Sequence, residues 1–228
     1  MVATPIGNLG DMTQRAVEVL RSVDAIAAED TRRTRKLLSH FDIHTRLVSF
    51  HEHSEERIAP SIVRRVEEGD DVALVSDSGT PLIADPGYRL VALALDRGLD
   101  VVAVPGPAAV VAALSISGLP PQPFCFVGFL PRRPGPRRKR LASVRGLPGT
   151  IVVYESPHRI VRSLRDMADV LGDRPAALVR EMTKIHEEVV RGRLPVLAEA
   201  APERSWKGEI VVLIGPAQAP PDEGGGPP

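Results

Sequence analysis

The sequence predicts an α/β protein of two domains. Short runs rich in Val, Ile and Ala alternate with segments whose apolar residues recur at helical spacing, and a proline-rich stretch divides the 228-residue chain near its middle. Strands are expected at 25–28, 72–75, 101–104, 151–154, 176–179 and 210–214. Their unbroken apolar character suits strands buried on both faces, so mostly parallel sheets are expected. Helices are expected at 13–21, 31–40, 58–68, 88–96, 108–115 and 160–171, where the apolar residues fall on one face of a 3.6-residue period.

The segment 118–123, GLPPQP, places three prolines in six residues and suits a linker. It separates an expected N-terminal domain, 1–119, from a C-terminal one, 120–215. The last residues, 216–228, are almost wholly Pro, Gly, Ala and acidic types that bury little apolar surface, so a disordered tail is expected. At the other end the motif VATPIGN begins at residue 2, leaving almost no room for a delivering strand. A curtailed strand, or a chain short at its N-terminus, is expected there.

Composition narrows the function. Lys+Arg and Asp+Glu both number 29, so any affinity for nucleic acid must come from local clusters. A single cysteine, Cys125, excludes an internal disulfide and fits a reducing cytoplasm, with a packing role for the thiol itself. The longest mostly apolar stretch, 101–114, is broken by Pro105 and Pro107, so no membrane span is expected. Aromatic residues make up only 4%, which argues against an extended stacking platform for single-stranded nucleic acid.

Three loops punctuated by Gly and Pro fall at expected strand ends: TPIGN at 4–8, DSGTP at 77–81 and PGPAA at 105–109. In an open α/β sheet such loops share the carboxyl edge and can surround one ligand. The second belongs to VSDSGTPLIADPG, 75–87, where Gly79 permits close backbone approach and Asp85, Pro86 and Gly87 make a plausible helix start. Neither GxxxxGK[ST] nor a helix-opening GxGxxG occurs, which disfavours the usual nucleotide and dinucleotide sites. His51 and His53 flank Glu52, but no further ligand completes a tetrahedral set, so no metal is expected.

Two basic clusters stand out. Arg132, Arg133, Arg137, Arg138, Lys139 and Arg140 lie in a stretch, 130–145, without one acidic residue, and the surrounding Pro134, Gly135 and Pro136 suggest a presented loop. Arg32, Arg33 and Arg35 form the second cluster, beside Glu29 and Asp30. Both are candidate RNA contacts, against the alternative of solvated helix faces.

VATPIGNLGD, EDTRRTRKLL, VSDSGTPLIADPG, VPGPAA, YESPHRI and REMTKIHEE, in that order over residues 2 to about 214, resemble the tetrapyrrole-methylase superfamily and, within it, its ribosomal RNA branch. The resemblance implies two α/β domains with S-adenosylmethionine in a cleft between them, a homodimer, and 2′-O-methylation of the ribose of a decoding-site cytidine in 16S rRNA, a component of the small ribosomal subunit. It places cofactor contacts at Ile6, at Ser78, Gly79, Thr80 and Ile83, at Ala108 and Ala109, and at Glu155 and Met182. The porphyrin and corrin branch typically reads GxGPG in the first loop and GDP in the second. TPIGN and SGTP stand here instead, which weakens a tetrapyrrole substrate.

Methyl transfer to a ribose hydroxyl gains from a positioned general base. Glu29, Asp30, Asp77, Glu155, Glu181, His158 and His186 are candidates, and Glu29 with Asp30 is the favoured catalytic pair because it ends an apolar strand at the expected ligand edge. The competing role for Asp30 is the cap of the following helix. A corrin or porphyrin methyltransferase of the same fold and a non-catalytic RNA-binding assembly factor are the alternative functions.

Overall fold

A computed structural model describes residues 1–217; most of the expected tail, from 218 on, lies outside the described residues. The chain divides into two units, Met1–Ala109 and Val110–Pro228, a division ahead of the proline-rich stretch at 118–123.

The first unit runs α1 (Gln14–Ser22), β1 (Ala25–Ala28), α2 (Thr31–His40), β2 (Leu47–Ser49), α3 (Glu55–Glu67), β3 (Val72–Val75) and α4 (Tyr88–Asp96). Its sheet is parallel in the order β2-β1-β3, with Ala25 opposite Val72 and Ile26 opposite Leu47. Successive strand residues point to opposite faces, and both faces are covered. Ile26, Ala28, Ala73 and Val75 pack against Ala16 and Leu20 of α1 and Leu38 of α2. Ala27 and Leu74 pack the other way, against Ala59, Ile62 and Val63 of α3 and Leu90 of α4.

The expected strand at 101–104 is reduced to one parallel bridge, Val2 to Val104. The N-terminal residues extend the sheet beyond β3: the Val2 N–H donates to the Leu74 carbonyl at 2.9 Å and the Ala3 N–H to that of Val104 at 3.2 Å. An apolar cavity of about 330 Å³, lined by Val19, Val23, Ile62, Val66, Val72 and Val102 among others, opens at the amino ends of these strands. It lies at the edge of the sheet away from the motif loops.

The second unit holds α5 (Ala109–Ser117, its first residue the last of the first unit), β4 (Phe124–Phe129), α6 (Pro134–Val144), β5 (Thr150–Glu155), α7 (Ile160–Leu171), β6 (Pro175–Arg180), β7 (Glu188–Arg193), α8 (Leu194–Ala200) and β8 (Ile210–Ile214). Its five strands order as β4-β5-β8-β6-β7. Only β4 and β5 pair in parallel, and the other three pairings are antiparallel, which corrects the expectation of mostly parallel sheets for this unit. Ile151, Val153, Leu178 and Val212 of the sheet pack against Leu141 of α6, Leu164 and Met167 of α7, and Leu194 of α8.

The segment PGP at 134–136 is not a presented loop but the first turn of α6. Prolines are tolerated there because first-turn N–H groups have no intrahelical acceptor. Gly149, ahead of β5, has φ +86°, and a Cβ on it would overlap the Pro123 carbonyl oxygen, so the register of β5 beside β4 requires glycine.

Candidate functional site

The three loops of the first unit interlock. Thr4 and Gly79 exchange backbone hydrogen bonds at 2.9 and 3.1 Å, and the hydroxyls of Thr4 and Ser76 add donors to the Gly79 carbonyl. Gly79 has φ +88°, and a Cβ there would stand 3.2 Å from Ile6 Cγ2. The Thr80 hydroxyl donates to the Pro107 carbonyl at 3.0 Å, and a Cβ on Gly106 would come within 2.9 Å of that of Ala3. Ile6 is buried in this junction, whereas Ser78, Thr80, Ala108 and Ala109 are half-buried and Ile83 is exposed. The structure thus brings these seven expected cofactor residues of the unit into one loop cluster, with mostly backbone and small side chains on offer.

Backbone strain concentrates in the motif loops. Among the described residues, five non-glycine positions have positive φ, and four of them lie in two motifs: Leu82 and Ala84 in 75–87, and Glu181 and Thr183 in REMTKIHEE. Such conformations cost of order 1–3 kcal/mol each and cluster at ligand sites. Two of the three buried side-chain polar atoms without a hydrogen-bond partner among the described residues also sit in motifs, Asp11 Oδ2 in VATPIGNLGD and Thr183 Oγ1 beside Met182.

The carboxyl ends of β1 and β3 carry a carboxylate cluster. Burial, then the charge of Asp77, raises the pKa of Glu29. Burial, then the charge of Glu29, raises that of Asp85 to about 6, against a smaller opposing hydrogen bond from Ser76. Arg33 lies 3.5 Å from Asp77 and helps to hold the cluster together. The role of Asp85 is hidden in the sequence because Asp-Pro-Gly ahead of a helix reads as a local cap. In the structure the cap comes from Glu55 on α3, whose Oε1 accepts the N–H groups of Gly87 and Arg89 at 3.1 and 3.0 Å. Asp85 is thereby free to join Glu29 and Asp77.

Asp30 needs correction as a catalytic candidate. It is the N-cap of α2, accepting the Arg32 N–H at 2.9 Å, and it pairs with the Arg32 guanidinium at 3.1 Å. That hydrogen bonding holds its carboxyl down at about 2, so it is a poor proton acceptor at neutral pH.

Two further expected site residues have their side chains committed within the second unit. The Glu155 carboxylate is fully buried and spent within the unit, accepting from the Arg159 guanidinium at 2.5 Å, the Ser163 hydroxyl at 2.5 Å and the Ser156 N–H at 2.8 Å. Its side chain therefore locks α7 onto β5 and is not free to contact a cofactor. Arg137 is buried too, 2.5 Å from Asp166, and Arg138 bonds Asp166 and Asp169. Arg137 thus anchors α6 to α7 and is withdrawn from phosphate binding, while Arg132, Arg133, Lys139 and Arg140 are exposed. Arg32, Arg33 and Arg35 are exposed on α2.

Of the other base candidates, Glu181 pairs with Lys184 at 2.8 Å, and His158 and His186 are exposed. No group of three or more His, Cys, Asp or Glu among the described residues could hold a metal ion, and no described helix is long and apolar enough to cross a membrane.

These features define a two-unit α/β protein with a strained, glycine-dependent loop cluster at the carboxyl edge of a parallel sheet. Residues 1–198 match the family model described as Tetrapyrrole (Corrin/Porphyrin) Methylases. The fold is shared with a crystal structure of diphthine synthase, with a TM-score of 0.72 at 16% identity over 93% of this chain and 87% of that one. Among curated proteins, the chain is 48% identical over 225 residues to ribosomal RNA small subunit methyltransferase I of Mesorhizobium japonicum, covering 98% of this chain and 76% of the relative. It is 50% identical to the protein of the same name from Micromonospora olivasterospora, covering 98% and 72%. The chain belongs to the tetrapyrrole-methylase family and, within it, to the branch of ribosomal RNA small subunit methyltransferase I.

Proposed function

We propose that the protein methylates small-subunit ribosomal RNA with S-adenosylmethionine, and that the acceptor is the ribose 2′-hydroxyl of a decoding-site cytidine. The observation that carries this reading is the carboxylate cluster, Glu29, Asp77 and Asp85, at the carboxyl edge of the sheet whose loops carry the family motifs.

The donor set of the first unit suits a cationic cofactor: clustered carboxylates favour a sulfonium and an ammonium, and the unpartnered Asp11 Oδ2 is an acceptor in a motif loop of the same unit. Ile6, Ser78, Gly79, Thr80, Ile83, Ala108 and Ala109 of the first unit would hold it. When bound, S-adenosylmethionine supplies an electrophilic methyl group. The loop cluster positions it, and holding the hydroxyl in line supplies much of the rate. Glu29 accepts the hydroxyl proton. Its raised pKa makes it a better base than an ordinary surface carboxylate, with Asp85 and Asp77 setting the local field.

Arg132, Arg133, Lys139 and Arg140 carry the RNA backbone, with Arg32, Arg33 and Arg35 as a second contact region. Exposed cations of this density fit a polyanion better than a macrocycle, which favours RNA over a corrin or porphyrin. A homodimer and a cytoplasmic location belong to the same reading.

The test is mass spectrometry of 16S rRNA from cells lacking the gene, with purified protein and labelled cofactor added back. The expected result is loss and restoration of one 2′-O-methyl group on a decoding-site cytidine. Full retention of that group in the deletion strain overturns the reading, and failure of the protein to bind S-adenosylmethionine overturns every methyltransferase reading.

A further inference from the structure

Phe129 ends the edge strand β4 and is 58% exposed, although a large apolar ring at a strand end normally turns inward. It stands in register with Tyr154 on β5, and their rings meet edge to face with centroids 5.6 Å apart. Tyr154 is braced in turn by Phe126 at 4.7 Å. The next residue, Leu130, is buried and fixes the chain, and Arg132 and Arg133 follow, both exposed. Arg132 and Arg133 lie three and four residues after Phe129, so their Cα atoms stand at most about 10 and 14 Å from its own, and one short stretch of RNA can meet the exposed ring and both guanidinium groups. The site sits at the carboxyl ends of the two parallel strands of this sheet.

We infer that Phe129 stacks an unpaired base of the RNA substrate while Arg132 and Arg133 engage the adjoining phosphates, so that the protein selects single-stranded RNA at this point. The inference rests on the proposed RNA methyltransferase activity and deepens it. An aromatic face with flanking cations is the combination by which proteins grip splayed nucleotides, because every base offers a π-face and every nucleotide a phosphate. The low aromatic content argues against an extended platform, and one braced ring does not need one.

The experiment compares the wild type with Phe129→Ala, Phe129→Leu and Phe129→Trp, using a short single-stranded oligoribonucleotide and the same sequence as a duplex. Cofactor affinity and sedimentation are measured alongside. The expected result is tighter binding of the single strand by the wild type and a 5- to 100-fold weakening, roughly, in the Ala and Leu variants, with recovery in the Trp variant. The slope of affinity against salt, cofactor affinity and mass should stay unchanged, whereas Arg132→Ala with Arg133→Ala should flatten the slope. Equal RNA binding by wild type and Phe129→Ala overturns the inference and leaves the proposed function standing. A change of oligomeric state in the Ala and Leu variants assigns the ring to a protein contact and also overturns it. Failure of the wild type to bind any RNA overturns the proposed function, and this inference with it.

Discussion

Asp77 and Asp30 are joined across the sheet: an oxygen of the Asp77 carboxylate accepts the backbone N–H of Asp30 at 2.9 Å. This bond ties the loop after β3 to the start of α2 and places the Asp77 charge beside Glu29. Asp77→Asn keeps an oxygen for the Asp30 N–H but removes the charge that raises the pKa of Glu29 and Asp85. The acid limb of the pH–rate profile should therefore move to lower pH with little loss of thermal stability. Asp77→Ala should lower the melting temperature as well, because it orphans the N–H. An acid limb unmoved in Asp77→Asn would separate Glu29 from the proton transfer.

Asp85 makes stability depend on pH. Its carboxyl titrates near 6 in the folded protein against 3.8 as the reference, so the folded state holds the proton more tightly. Its contribution is fully present below 3.8 and is lost as pH rises to about 6. Asp85→Asn should remove this loss and raise stability at neutral pH by roughly 1–2 kcal/mol, the full shift being discounted for partial exposure. Urea unfolding of both proteins at acid and neutral pH checks the sign.

Gly79→Ala forces a Cβ onto a residue at φ +88° and against Ile6. The variant should lose about 1–2 kcal/mol of stability and bind S-adenosylmethionine several-fold more weakly. Calorimetric titration of the cofactor into both proteins measures this, and unchanged affinity would remove the loop cluster from the cofactor site.

Glu155→Gln should destabilise the fold without touching the cofactor. It leaves the Arg159 guanidinium without its carboxylate, at a cost of roughly 2–3 kcal/mol, less than for a fully buried pair. Chemical denaturation should show the loss, and the folded variant should bind cofactor as the wild type does. The reverse outcome would return Glu155 to the cofactor.

The basic stretch should separate into two behaviours. Arg137→Ala should lower the melting temperature and leave the salt slope of RNA binding unchanged, because its guanidinium is committed to Asp166. Arg132→Ala, Arg133→Ala and Arg140→Ala should leave stability alone and reduce that slope by about 0.7 for each phosphate of a single strand that is no longer neutralised.

Local signals in the sequence carried much of the fold. The apolar runs of β1, β3 and β8 and the helical periods of α2, α4 and α7 end at the expected residues. Pairing direction was not legible, because a strand buried on both faces reads the same beside a parallel or an antiparallel neighbour. β7 escaped notice because EVVRGR mixes charge into its run, and α6 because PGP reads as a turn wherever it is not a helix start. At the site, the glycine loops were visible as motifs. The roles of Asp85, Glu55 and Arg137 were not, since each depends on a partner about thirty residues or more away.

The tie between Thr4 and Gly79 has a consequence for how the site assembles. It closes a loop of 75 residues, and Val2 and Ala3 lean further along the chain, on Val104. Contacts of such long sequence separation pay their chain-closure entropy late, and they slow folding. The loop that comes first of the three in sequence is thus among the last to find its place, and cofactor affinity should appear only in the final phase of refolding.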